Sequence, residues 1–119
     1  MIRLTLPVPP SANRWWRMVN GRMIKSKAAR QYLDTVRVPI KGYYAEGDVM
    51  VKIAWYRAAK RGDLDKRLGV VLDLLQGMAY ENDRQVSTLI ATRHEDPKDP
   101  RMEIMVCQEG EFADLPERG

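Results

Sequence analysis

Two aspartates separated by one residue, Asp63 and Asp65, lie in a highly charged segment just before a helical stripe of leucines and valines. In an extended backbone, residues two apart share one face, so both carboxylates would point the same way while Leu64 faces the core. Carboxylates this close repel each other unless a cation, a proton or water screens them. Mg²⁺ prefers oxygen ligands and meets this need, and we expect Asp83 to return to the same edge of the sheet as a third ligand.

The same carboxylates also have a purely structural interpretation. Asp63 suits a helix N-cap, Asp65 the first helical turn, where the dipole favours an acid, and Asp83 a tight turn. Four basic side chains bracket the first two aspartates: Lys60, Arg61, Lys66 and Arg67. They favour the metal hypothesis, because a phosphate that approaches carboxylates needs positive charge around it. An ion pair of Asp63 with Arg67, one helical turn away, accounts for only one of the four.

The first quarter of the chain is uniformly basic. Residues 1–33 carry seven Lys or Arg side chains and no acid, although the whole chain of 119 residues has a net charge of only +4. Within this quarter, 11–25 follows three prolines, contains a glycine and is predicted to be a long loop. This quarter contains side chains that could bind a polyanion, and nucleic acid is the first candidate. They are Asn13, Arg14, Trp15, Trp16, Arg17, Arg22 and Lys25. The alternative is a solvated basic loop.

Apolar periodicity indicates the elements that must position these residues. Alternation predicts strands over 2–6, 48–57 and 102–107, and a run rich in β-branched residues predicts another over 85–93. Helical spacing predicts one helix capped by Ser26 and ended by Pro39 and Gly42, and a second from Asp63 to its C-terminal cap at Gly77. The order β-α-β-α-β-β is typical of an α+β domain, with both helices packed on one face of a small mixed sheet.

Composition limits the compartment and the cofactors. A single cysteine, Cys107, excludes a disulfide framework and a Cys-rich zinc site and favours a reducing cytoplasm. No apolar run approaches the about 18 residues of a membrane helix, and no signal peptide is recognisable, so we expect a cytoplasmic protein without a membrane partner. Phosphate-binding glycine motifs are absent, so no nucleotide cofactor is expected. We predict one domain over 1–108 and an acidic, flexible tail over 109–119.

Two motifs resemble those of one family, the RusA-type Holliday junction resolvases, small endonucleases of bacteria and prophages. LPVPPSANRWWR looks like the family's strand and P-x-P-P-S-x-N-R loop, and RGDLDKRLGVVLDLLQGMAYENDRQV looks like its D-L-D helix followed by D-x-Q-V. Order and spacing agree over about 4–107. The resemblance implies a homodimer that resolves four-way DNA junctions by paired, Mg²⁺-dependent nicks in recombination and repair, with Mn²⁺ as a substitute. It assigns the essential carboxylates to Asp63, Asp65 and Asp83, and a further helix acid to Asp73.

The sequence departs from the family pattern at three positions. Lys66 replaces the usual Asn, Gly69 replaces the usual Lys, and Gly62 replaces an often basic residue. Lys66 lies about one turn before Gly69 on a helix, so we expect it to reach the same phosphate. A glycine within a helix costs about 1 kcal/mol relative to alanine, which indicates a close backbone approach at Gly69, for example across a dimer interface.

The hypothesis is therefore metal-assisted phosphodiester hydrolysis, with the three aspartates holding one or two Mg²⁺ ions. Lys66, with Arg61 or Arg67, would offset the charge of the scissile phosphate. Trp15 or Trp16 would stack on unpaired bases, or one of them would instead fill the core beneath the loop. Two alternatives stay open: a non-catalytic junction-binding protein of the same fold, and a nuclease of relaxed specificity for branched DNA.

Overall fold

The computed structural model describes residues 1–36, 45–59 and 64–108, with the side chain of Asp65 left out. Its elements follow in chain order: β1 (Ile2–Leu6), α1 (Ala12–Trp15), β2 (Trp16–Val19), β3 (Arg22–Lys25), α2 (Lys27–Val36), β4 (Val49–Arg57), α3 (Leu64–Leu75), a 3₁₀ turn (Asp83–Gln85), β5 (Val86–Glu95) and β6 (Arg101–Gln108). The predicted helix end at Pro39 and Gly42 and the predicted tail over 109–119 fall outside these residues. None of the described helices is long and apolar enough to cross a membrane.

Four of the strands form one mixed sheet in the order β1-β6-β4-β5. β4 and β5 are parallel and are connected through α3, whereas β6 is antiparallel to both β1 and β4. Alternate residues of β4 (Val49, Val51, Ile53 and Trp55) are buried, and they form a single core cluster with the apolar stripes of α2 and α3. The predicted α+β architecture with a mixed sheet is therefore confirmed.

Both helix caps expected from the sequence are present. The hydroxyl of Ser26 accepts a hydrogen bond from the Ala29 N–H (3.1 Å), which satisfies one of the first amides of α2. At the end of α3, Gly77 has φ +82°, the left-handed conformation that glycine adopts without strain. Its N–H donates to the carbonyl of Tyr80 (2.7 Å), so the chain turns sharply toward the next segment.

The long loop predicted over 11–25 is wrong. The chain there forms the single turn α1 and then a separate hairpin, in which β2 and β3 pair antiparallel from Trp16–Lys25 to Val19–Arg22. Asn20 and Gly21 connect the strands with φ of 50° and 75°, the pattern of a two-residue type I′ turn. An Asn-Gly pair between strand-forming residues is a strong hairpin signal, and the loop interpretation overlooked it.

β5 differs from the expected strand mainly at its ends and in its exposure. It covers 86–95 rather than 85–93, because Gln85 belongs to the preceding turn, where its side chain accepts from the Asn82 N–H (3.0 Å). β5 occupies one edge of the sheet, and most of its residues are exposed on both faces, including Leu89 (39%) and Ile90 (37%). Such an edge is free to pair with another strand.

Replacing Ser26 with alanine is expected to lower the free energy of unfolding by about 1 kcal/mol, because the Ala29 N–H loses its acceptor. Ser11 is the matched control: it precedes α1 but its side chain makes no capping hydrogen bond. Urea unfolding of Ser26→Ala and Ser11→Ala checks this difference. Equal losses in the two variants would contradict the capping role.

Candidate active site and nucleic-acid interface

The first turn of α3 contains Asp65, so its backbone is helical and not extended as expected. Residues two apart on a helix point in different directions, and the predicted shared face therefore does not apply from Leu64 onward. Asp63, Lys60 and Arg61 lie outside the described residues. α3 follows β4, which places its first turn at the edge of the sheet where β4 ends.

Asp83 lies at the opposite edge. β5 is parallel to β4, so α3 must run back across the sheet before β5 begins. The N–H of Asp83 donates to the side chain of Gln76 (3.0 Å), directly after the end of α3. The twelve residues of α3 span about 18 Å. The expectation that Asp83 returns to the edge of Asp65 is therefore wrong for a single chain, and among the described residues no three potential metal ligands cluster.

Arg67, one of the predicted DNA-binding residues, is engaged within the chain. Its guanidinium lies 5.2 Å from the centre of the Trp55 ring and donates to the carbonyl of Pro9. Burial, and then the charge of Arg14, lowers the pKa of Arg67. The half-buried Arg67 thus attaches the proline-rich loop to α3.

The same loop has a second attachment in α2. The Tyr32 hydroxyl donates to the carbonyl of Pro7 (2.6 Å), and burial raises the pKa of this tyrosine. Carbonyls at both ends of the Pro7–Pro9 segment therefore accept hydrogen bonds from helix side chains. Since proline has no N–H to donate, these carbonyl contacts are how the loop is held to the helices.

Two positions near the start of α3 bear on the departures from the family pattern. Lys66 is exposed, next to Asp65 in the sequence. Gly69 is also exposed, and a Cβ built there meets no atom within 4 Å. Within the part of the chain that the structure describes, no close approach requires this glycine. A close approach across a dimer interface, the example given above, stays a prediction.

Arg57 is a charged residue that the sequence analysis did not single out. It ends β4 on the core-facing side, is 9% exposed, and pairs with Glu95 through a contact of 3.0 Å. Its Nε is buried and has no hydrogen-bond partner. In the sequence, Arg57 continues the alternation of Val49, Val51, Ile53 and Trp55, and this pattern could have indicated that its side chain is buried. Its charge is balanced by Glu95, so the pair adds no net charge at the edge of the sheet where α3 begins.

Trp15 does not face solvent. It is 0% exposed, its ring meets that of Tyr32 edge-on at 6.0 Å, and its Nε1–H donates to an oxygen of Asp73 (3.1 Å). Stacking of Trp15 on bases is therefore excluded in this structure, and the alternative role, filling the core, applies. Trp16 is partly buried, with the ammonium of Lys25 5.1 Å from its ring centre.

Asp73 connects the hairpin to α3. Besides Trp15, its carboxylate contacts the ammonium of Lys25 (3.3 Å) and the side chain of Gln76 (3.3 Å). Lys25, a predicted DNA-binding residue, is thus committed to an internal ion pair. The remaining predicted contacts on this surface are exposed: Asn13, Arg14, Arg17 and Arg22.

Asp73→Ala is expected to lower the free energy of unfolding by about 1–3 kcal/mol, because the buried Trp15 N–H loses its acceptor. Asp34→Ala, which removes an exposed acid from α2, should change the free energy by less than about 0.5 kcal/mol. Urea unfolding followed by tryptophan fluorescence measures both. If the two substitutions cost the same, Asp73 does not hold the hairpin as described.

A protein-family model described as Endodeoxyribonuclease RusA matches residues 7–107, which is most of the chain. No curated protein matches the sequence. The matched range contains the proline-rich loop, the hairpin, α3 and Asp83.

Proposed function

The chain belongs to the endodeoxyribonuclease RusA family, and we propose that it acts in the cytoplasm as a homodimeric, Mg²⁺-dependent resolvase of four-way DNA junctions. Membership in the family supports a nuclease that acts on Holliday junctions. The proposal adds the metal, the dimer, and paired symmetric nicks in recombination and repair. The observation that carries it is that α3 begins at Leu64, within the D-L-D motif, after β4 ends at Arg57, so that Asp65 lies at that edge of the sheet.

The donor set fits a hard divalent cation. Asp63, Asp65 and Asp83 supply carboxylate oxygens, which Mg²⁺ and Mn²⁺ accept as ligands, and the described residues offer no cluster of softer ligands in their place. When bound, the metal would lower the pKa of a water molecule and stabilise charge on the phosphate in the transition state.

The chain's own cations have separate tasks in this proposal. Lys66 is exposed at the start of α3 and would neutralise the phosphate next to the scissile bond. Arg14, Arg17 and Arg22 are exposed on the basic quarter and would hold the DNA backbone.

The dimer is supported by the separation of the acidic residues. Asp83 lies across the sheet from the first turn of α3, so within one chain it does not lie beside the backbone of Asp65. β5 provides the contact, because it is a sheet edge with Leu89 and Ile90 partly exposed. Two copies of β5 paired antiparallel about a twofold axis would bring the start of one strand beside the end of the other. Asp83 would then lie near the partner's α3.

Asp65→Asn is expected to reduce the nicking of four-way junctions at least about a hundredfold, since even indirect partners of metal ligands are worth 10–100-fold. Affinity for the junction should be kept or improved, because a negative charge near the phosphates is removed. End-labelled junctions with Mg²⁺, Mn²⁺ or EDTA measure nicking, and Asp34→Asn is the control. Normal cutting by Asp65→Asn would place the site elsewhere.

The same assay separates the competing functions. Junction binding by the wild-type protein without nicks at any metal concentration would favour the non-catalytic protein, which the absence of the family lysine at Gly69 makes a specific alternative. Equal cutting rates on linear duplex and on four-way junctions would favour a nuclease of relaxed specificity.

Mixing two inactive variants tests the shared site. In a mixed dimer of Asp65→Asn and Asp83→Asn chains, one site would carry both substitutions and the other neither. We expect about half of the wild-type nicking per mixed dimer, on one strand only, because one complete site is restored. Co-expressed chains with different affinity tags provide the mixed dimer. If it stays as inactive as the two parent variants, each site is built from a single chain.

A further inference from the structure

The tip of the β2–β3 hairpin carries two exposed methionines, to which the proposed reaction gives no role. Met18 and Met23 face each other across the hairpin and are 63% and 61% exposed, more than any other large apolar residue that the structure describes. They flank the Asn20–Gly21 turn, one residue removed on each strand. Exposed apolar pairs at a protruding tip are typical of contact surfaces.

The two faces of the hairpin differ in chemistry. Trp16, Met18, Met23 and Lys25 share one face, because they pair directly across the strands. At its base this face is attached to the domain, since Trp16 packs on the core and Lys25 contacts Asp73. The opposite face presents the exposed Arg17 and Arg22 together with Ile24, which is 37% exposed. The methionines therefore lie near the end of an anchored ribbon, about 7 Å beyond its base.

The charge of the surroundings limits the ligand that this tip can meet. Residues 1–33 contain no acid, and the exposed cations Arg14, Arg17 and Arg22 lie on or beside the hairpin. A matching ligand combines closely spaced negative charges with accessible apolar surfaces. Nucleic acid has both where its bases are unstacked, and methionine is among the side chains that enter between bases.

We propose that Met18 and Met23 form a wedge that contacts the base planes exposed at the branch point of DNA, while Arg17 and Arg22 bind phosphates of the adjoining arms. This inference rests on the proposed function and adds to it a source of selectivity. Opening a continuous duplex costs free energy at every base step that is unstacked, whereas bases at a branch point are already easier to separate. A wedge therefore favours branched over linear DNA, whereas contacts to phosphate alone do not.

The test compares Met18→Thr/Met23→Thr with Met18→Leu/Met23→Leu. Threonine keeps the strand preference and removes the apolar surface, whereas leucine keeps the surface. Binding is measured in EDTA to a four-way junction with 2-aminopurine at the branch point and to a linear duplex of the same arm sequence. We expect the threonine variant to lose about tenfold in junction affinity and to lose the rise in 2-aminopurine fluorescence. Duplex affinity should stay within about twofold, and the leucine variant should resemble the wild type.

Several outcomes would overturn the wedge. One is a threonine variant that keeps the fluorescence signal and the junction preference. Equal losses on junction and duplex would indicate a general phosphate contact or an unfolded hairpin, which circular dichroism and urea unfolding distinguish. A threonine variant that becomes monomeric in sedimentation velocity would assign the methionines to contact between copies. Wild-type binding to phosphatidylglycerol vesicles that the threonine variant loses, with no change on the junction, would assign them to a lipid surface.

Failure of the wedge and failure of the proposed function give different results. If the wild-type protein nicks junctions with Mg²⁺ and the threonine variant keeps the branch signal, only the wedge is wrong. If the wild-type protein nicks no DNA, the proposed function is wrong, and the binding experiment in EDTA still decides whether Met18 and Met23 contact the branch point.

Discussion

A parallel pair of strands requires its connection to cross from one end of the sheet to the other, and β4 and β5 are such a pair. α3 makes this crossing, so everything at its start is separated from everything after its end by the length of the helix. Asp65 belongs to the first position and Asp83 to the second. The crossover therefore places Asp65 and Asp83 at opposite edges of the sheet within one chain. It also leaves β5 at the sheet edge, where a second chain would reunite them.

α3 has a second function, which is to hold the basic quarter of the chain. Arg67 near its start binds the proline-rich loop, and Asp73 near its end binds Trp15 and Lys25. A two-stranded hairpin is only marginally stable by itself, so β2 and β3 depend on these contacts and on the packing of Trp16. α3 therefore positions the surface proposed to bind DNA and also carries Asp65, one of the proposed catalytic carboxylates.

Much of the fold was predictable because its signals are local. Alternation in β4 and β6, the leucine stripe of α3, the cap at Ser26 and the glycine at Gly77 each depend on neighbours within about one helical turn or a few strand residues. The hairpin was also signalled locally, by Asn20 and Gly21, but the density of Arg and Trp around them favoured a loop. The site was harder to predict because the position of Asp83 depends on β5 being parallel to β4, which no local pattern reveals.

The absence of a lysine at position 69 can be understood from the other positive charges near the start of α3. Gly69 is exposed and has open space around it, so a longer side chain would fit and its absence is not imposed by packing. Two cations lie close to this position in the fold: Lys66 is exposed in the first turn of α3, and Arg57 is buried at the end of β4. The carboxylate of Glu95 balances the charge of Arg57, although the buried Nε of Arg57 has no hydrogen-bond partner, so this pair adds no net charge at the edge. Among the described residues, Lys66 is therefore the cation expected to take the place of the missing lysine, since it lies about one helical turn before position 69.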